Sequence, residues 1–314
     1  MTDLTIRALS AGDLEQFLSY RGREVHGVGV AHRRSFLDTA AQRHYRPEWT
    51  WVAERGGEVV ARAAYWGFPD STHPLALDWF DPGDGPDRIE VGSRLLSTAD
   101  TVMRTAGGER PEYHLFLPPH WRDDPAVRAA GEDRLAAAGA AGWTPLVERW
   151  NYRWTAGQDP APARTGRLEL RPAGGDEEVL DALRRISAGT LDAHTRREIA
   201  RNGVEAAARD LLDGMRELPG PPDWWRLGYT PDGSLAGLVM PSRNYTTPVI
   251  GFVGVVPEQR GHGYAGDLLA EGTALLIAEG AERIMADTDQ GNAPMAAAFA
   301  RAGYRIRQIR VVLA

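Results

Sequence analysis

Apolar and polar residues alternate at Leu4-Thr5-Ile6-Arg7-Ala8 and again at Leu168-Glu169-Leu170-Arg171-Pro172, which predicts a short strand at each place, followed by helical patterning. The echo recurs at the far ends of the two halves. Ala141-Gly142-Trp143 precedes an apolar-rich run from Val147 to Trp154, and Ala302-Gly303-Tyr304 precedes one from Ile306 to Leu313. A repeat of about 160 residues reads as two copies of one domain, since solenoid units are much shorter. In the second half, helices are expected around 176–188 and 195–217, and strands near 168–172, 224–230, 234–242 and 248–256, with Pro231-Asp232-Gly233 turning a hairpin. A helix with Leu268, Leu269, Gly272, Leu275 and Leu276 on one face comes next, then a strand at 282–288, a helix at 293–302 and a last strand at 304–313. The implied fold is α/β, with a mixed central sheet flanked by helices in each copy. Residues 156–167, rich in Pro, Gly and Ala and without apolar period, read as a linker between domains at 1–155 and 168–314.

Composition narrows the chemistry. The 314 residues are enough for two domains with their own cores. There is no cysteine, so disulfides, thiolate metal sites and a cysteine nucleophile are excluded. The eight histidines include no helical i, i+4 pair, and no metal site is expected. No basic leader with an apolar core opens the chain and no apolar run is long enough to span a bilayer, so a cytoplasmic, membrane-free protein is expected. The net charge of −7 disfavours nucleic acid and favours cationic partners. Monomer and homodimer are both compatible with the sequence.

The most informative segment runs from Val253 to Gly266, where a strand, a glycine-rich turn and a helix start adjoin. Such a junction aims backbone N–H groups and the positive end of a helix dipole at one spot, which suits a phosphate. A nucleotide P-loop needs a lysine, and the chain has none. Gly261-His262-Gly263-Tyr264-Ala265-Gly266 also fits the dinucleotide pattern G-x-G-x-x-G, with Asp287 about twenty residues on; but too little chain remains for the further βαβ units that fold requires.

Arg260, Gly261, His262, Gly263, Tyr264 and Ala265 fill in order the six positions of Q/R-x-x-G-x-G/A, behind a strand ending in Val-Pro. Asn292, an apolar stretch from Met295 to Phe299, and Gly303-Tyr304 follow at matching distances. Together these resemble the acyl-CoA site of the GNAT acetyltransferases, over about residues 167–314. The first half lacks the loop; its counterpart, Asp81 to Asp87, carries three aspartates and no arginine and would repel a pyrophosphate. It reads as a degenerate copy.

The resemblance implies an acetyl-CoA-dependent N-acetyltransferase acting by direct attack on a primary amine of a small molecule or peptide. Backbone groups of Val253, Gly254 and Val255 would pair with the pantetheine arm, and the N–H of Val255 would serve the thioester oxygen. Arg260 to Gly266 would hold the pyrophosphate, with Asn292 and Met295 on the pantetheine side; Asn292 is equally suited to cap the helix behind it. His262 has no role beyond the loop. The usual family acid is a tyrosine seven residues after the asparagine, and here Phe299 stands there. Tyr304, Tyr264 and water are the substitutes, and Tyr304 is the residue advanced. No acid lies on strand 248–256, so Asp287 is the candidate base. Asp192 and His194, between the first two helices of this half, and Arg243 and Tyr245, on the preceding hairpin, are candidate acceptor contacts. The alternative to an enzyme is an acyl-CoA-binding protein without turnover.

Overall fold

The computed structural model describes residues 4–29, 36–105, 107, 109–244 and 247–314. The chain forms two compact units, residues 1–148 with 308–314, and residues 149–307. This division differs from the expected boundaries at 155 and 168. The reason is an exchange of final strands. Strand β6 (Pro145–Thr155), which ends the first copy, pairs from Arg149 to Thr155 with a strand of the second unit. Strand β12 (Arg305–Leu313), which ends the second copy, pairs from Ile309 to Leu313 with a strand of the first. The apolar patterns at 147–154 and 306–313 were legible as strands, but an alternating strand does not encode which sheet edge it joins.

In the first unit, β1 (Leu4–Ala8), β2 (Tyr45–Arg55), β3 (Glu58–Trp66), β4 (Ala76–Asp81) and β5 (Glu112–Leu117) lie in that order with the end of β12 beside β5. Helix α1 (Phe36–Ala41) precedes β2, while α2 (Arg88–Thr105) and α3 (Pro125–Ala140) flank β5 in sequence. In the second unit, β7 (Glu169–Pro172), β8 (Arg226–Tyr229), β9 (Leu235–Arg243), β10 (Pro248–Val255) and β11 (Arg283–Asp289) lie in order with β6 beside β11. Its helices are α4 (Asp176–Ser187), α5 (Ala193–Glu217), α6 (Tyr264–Ala278) and α7 (Ala293–Arg301). The unit β10-α6-β11-α7 repeats β4-α2-β5-α3, so the duplication read from the sequence is present in the topology. In both copies the sheet is mixed: β4–β5 and β10–β11 pair parallel, and their outer neighbours pair antiparallel.

The second unit's sheet is packed on both faces. Leu268, Leu269 and Leu276 of α6 and Phe299 of α7 meet Ile284, Ala286, Tyr152 and Trp154 on one side. Leu180 and Leu183 of α4 and Leu212 and Met215 of α5 meet Leu227, Leu238 and Met240 on the other. The 25 residues of α5 are interrupted at Gly203, whose φ of 85° no helix accommodates. Trp225 lies in the second of these clusters, and Trp224 is partly buried beside the first.

Candidate active site

Strand β10 sets the site. On one side it pairs antiparallel with β9 from Pro248 to Val255, with an irregularity at Gly251. On the other it meets β11 at a single register, Val249 with Met285, and beyond that point the two parallel strands diverge. The Val256 amide donates to Ala236 O at 3.0 Å, so it faces β9. Successive backbone groups point to opposite edges, and the amides of Val255 and Val253 therefore face the gap between β10 and β11. An edge of this kind is a template for an extended ligand. Gly254 between them is needed for packing. A Cβ there would come within 2.4 Å of Ile186 on α4.

The glycine turn follows. A short 3₁₀ turn at Pro257–Gln259 ends the strand, and Gly263, with φ 80° and ψ 10°, caps α6 in the left-handed conformation. Gly261 is also left-handed, at φ 85°. Among the described residues, the amides from Gly261 to Ala265 donate to no carbonyl or side chain, so successive donors stand at the positive end of a four-turn helix. His262 is exposed and lies against Tyr264, ring centroids 5.6 Å apart.

Two arginines hold this turn, Arg260 and Arg167. Arg260 was expected to lend charge to a pyrophosphate. Its guanidinium is instead bonded to three carbonyls: Ile186 at 2.8 Å, Gly189 at 3.2 Å and Val255 at 3.2 Å. It caps the negative end of α4 and ties that helix to the end of β10. The cation beside the loop is Arg167, from the segment read only as linker. It donates to His262 O at 2.9 Å, pairs with the buried Asp267 in the first turn of α6, and lies 5.3 Å over the Tyr264 ring. Thr165 bonds the same carboxylate. Nothing in a Pro/Ala-rich stretch signals this role, because it depends on where the segment crosses the helix.

Asn292 caps α7, its Oδ1 accepting from the Met295 amide at 3.3 Å; Met295 is partly buried against the cluster that also receives Val253 and Val255. Phe299 is fully buried and stacked on Tyr152, centroids 4.8 Å apart. Tyr304, advanced as the acid, is 3 % exposed, and its hydroxyl shares a 2.7 Å hydrogen bond with Thr273 inside α6. Burial drives its phenol well above the usual range. These features make Tyr304 a packing residue whose hydroxyl is committed to Thr273.

Asp287 accepts a 2.9 Å hydrogen bond from Asn151 Nδ2 on β6. Two residues on, the buried Asp289 accepts from the Ala193 amide at 2.7 Å and lies 3.2 Å from Arg149 Nε. Arg149 also reaches Asp192, at 3.4 Å, and His194, at 3.4 Å. Asp192 and His194 are thus brought to the ends of β6 and β11, and Asp192 is also the N-cap of α5, accepting from the Thr195 amide at 2.8 Å. Burial works against the Asp192 carboxylate, but Arg149 and the Thr195 donors hold its pKa below the ordinary value. Burial raises that of Asp289, with Arg149 opposing. Arg149 and Asn151 escaped sequence reasoning because their strand belongs by sequence to the other copy. Arg243 is elsewhere: it donates to Glu279 O at 3.2 Å, at the C-terminal end of α6, and lies over Trp224. Tyr245 falls outside the described residues.

The counterpart turn in the first unit is organised differently. Of the carboxylates foreseen there, Asp81 pairs with Arg62 and Arg134, Asp87 pairs with Arg55 at 2.6 Å, and Asp84 accepts from the Arg23 amide. Gly83 is left-handed, at φ 102°, and a Cβ there would meet Val60 O at 2.5 Å, so both its backbone and its surroundings require glycine.

Residues 193–304 match the acetyltransferase (GNAT) family. The whole chain superposes on a GCN5-related N-acetyltransferase from Sphaerobacter thermophilus, with a TM-score of 0.60 at 17 % identity, over 99 % of this chain and 94 % of that one. It is similarly related to a tandem GNAT protein from the clavulanic acid biosynthesis pathway, with a TM-score of 0.51 at 18 % identity, over 99 % and 98 % of the two chains. No match was found among curated protein sequences. The family match falls within the C-terminal copy, and the likeness to these solved structures shows that the fold extends over the whole chain. Among the described residues no helix is long and apolar enough to cross a membrane, and no group of three or more potential metal ligands occurs.

Proposed function

We propose that the protein is an acetyl-CoA-dependent N-acetyltransferase whose cofactor lies along β10 with its diphosphate on the turn before α6. The observation that carries this reading is the run of unpaired amides from Gly261 to Ala265, continuous with the open edge of β10. Acetyl-CoA would supply an acyl group activated as a thioester. The chain supplies the rest. Amides of the turn would hold phosphate oxygens, aided by Arg167; those of Val253 and Val255 would pair with the pantetheine amides. The Val255 N–H, rigid in its strand, would polarise the acyl oxygen; removing such a donor generally costs about 3 kcal/mol of barrier. Asp287, oriented by Asn151, would take the proton of a primary amine directly or through water. Asn292 and Met295 would border the pantetheine.

Calorimetry with CoA, followed by a free-thiol assay over a panel of primary amines, tests the proposal. Heat with CoA and amine-dependent thiol release are expected; no heat with CoA would remove the enzymatic assignment. A second reading, acyl-CoA binding without turnover, is favoured by one observation: Phe299 carries no hydroxyl and that of Tyr304 is committed to Thr273 in the core. Tight CoA binding with no amine-dependent release would select it.

A further inference from the structure

Strand β11 carries its acidic side chains on the face where α5 begins. Asp289 shows this directly, since its carboxylate accepts from the Ala193 amide at 2.7 Å. Alternate residues share a face, so Asp287 lies on that side too, while Ile284 and Ala286 enter the core on the other. Asp287 also stands two residues beyond Met285, the residue of β11 in register with β10, and so on the stretch that has parted from β10. The open amides of Val253 and Val255 border the same gap. Register sets Asn151 of β6 directly opposite Asp287.

The amide of Asn151 has a donor end and an acceptor end, and its neighbour decides which is which. Nδ2 lies 2.9 Å from Asp287 Oδ1. An ionised carboxylate only accepts, so the donor end must face it; the reversed amide would set two oxygens against each other. Asn151 Oδ1 is thereby left as a second acceptor beside the carboxylate. Asn151 is 8 % exposed, and this oxygen is buried with no hydrogen-bond partner among the described residues. Buried acceptors in folded proteins are nearly always paired, and an open one beside a candidate base calls for a donor from outside the chain. Asp287 itself is only partly buried, so the pair can be reached.

We propose that Asn151 determines specificity for the acceptor: with Asp287 it reads an amino group through two N–H bonds, and so selects primary over secondary amines. This role rests on the acetyltransferase reading and on Asp287 as base. In an uncharged primary amine, one N–H is given to Asn151 Oδ1 and the other faces Asp287, which leaves the nitrogen lone pair free for the thioester carbon. As the C–N bond forms, the electrons of the C–S bond go to sulfur. Asp287 takes the proton it faces, and the thiolate takes one from solvent. The N–H on Asn151 stays in the product amide. A secondary amine has a single N–H; when that faces Asp287, an alkyl group is pressed onto Oδ1, which remains unpaired.

Thiol release with butylamine and with N-methylbutylamine, and calorimetry with butylamine and N,N-dimethylbutylamine, test this on the full chain. Butylamine should be favoured in kcat/KM by about a hundredfold or more, as expected of a site that hydrogen-bonds a substrate N–H. At neutral pH both calorimetric ligands are cations. The dimethyl compound keeps one N–H and should bind about tenfold more weakly, one charge-assisted bond being lost. Asn151→Leu and the polar Asn151→Ser should each bring both ratios close to one, while CoA heat and the thermal transition persist. Loss of orientation at Asp287 alone would lower the two rates together and leave their ratio standing. A ratio unchanged in the variants therefore overturns the inference, as does wild-type protein that treats the amines alike. CoA heat keeps the underlying reading separate. If CoA does not bind, the acetyltransferase assignment falls, and the calorimetric ratio with its loss in the variants still decides whether Asn151 reads the amine.

Discussion

Single side chains in the second unit sort by where their polar atoms are committed. The Tyr304 hydroxyl is bonded to Thr273 within the core, so Tyr304→Phe should cost about 1 kcal/mol of stability by leaving Thr273 unpaired. Thermal unfolding would register that loss, while amine-dependent thiol release should stay at the wild-type rate; a large fall in turnover would restore Tyr304 as an acid. Asp287 behaves oppositely. Its carboxylate is held by Asn151 at a strand end, and Asp287→Asn should preserve CoA heat while lowering turnover by about a hundredfold, the low end of general-base contributions. Phe299 was legible in the sequence as a departure from the family pattern. That it is sealed against Tyr152 was not, because its stacking partner lies on a strand remote in sequence.

At the level of elements, the turn before α6 is held from two sides. Arg260 binds carbonyls at the C-terminal end of α4, and Arg167 binds carbonyls of the turn together with Asp267. Arg260→Ala should destabilise the protein by about 1 kcal/mol through loss of the cap, yet leave the salt dependence of CoA binding unaltered, since its charge is directed at α4. Arg167→Ala should cost about 2 kcal/mol and also weaken CoA binding several-fold, because Asp267 is left buried beside the phosphate donors. Calorimetry at two salt concentrations separates the two variants. The first unit uses its arginines for a different purpose. Burial would raise the Asp81 pKa, but Arg134 and Arg62 hold it below the ordinary value. A depressed carboxylate contributes stability that is present above its unfolded pKa and lost as pH falls through the folded one. Unfolding of the first unit should therefore set in below about pH 4. Arg134→Met should cost about 3 kcal/mol at neutral pH and flatten that acid limb, as followed by tryptophan fluorescence.

For the molecule as a whole, the exchanged strands decide what can fold alone. β6 supplies Tyr152 and Trp154 to the second core and Arg149 and Asn151 to its site, although it precedes the linker. A fragment beginning at residue 156 should lack the β11 edge partner and two large core rings. It should fail to give a cooperative thermal transition or CoA heat, whereas one beginning at residue 145 should recover both. A fully folded, CoA-binding 156–314 fragment would show that β6 is dispensable.

Local interactions were readable from the sequence because their determinants are neighbours in it. Alternation gave the strands, helical spacing of leucines gave α6, and glycines that must adopt positive φ gave the turn before it. The Asn292-Ala293-Pro294 sequence likewise identified the start of α7. What required the tertiary structure were pairings between distant segments: Arg167 with Asp267, Arg260 with the end of α4, and Asn151 with Asp287. These pairings depend on strand exchange and on chain crossings. The side chains involved are the same charged residues that, in one dimension, are indistinguishable from a solvated surface.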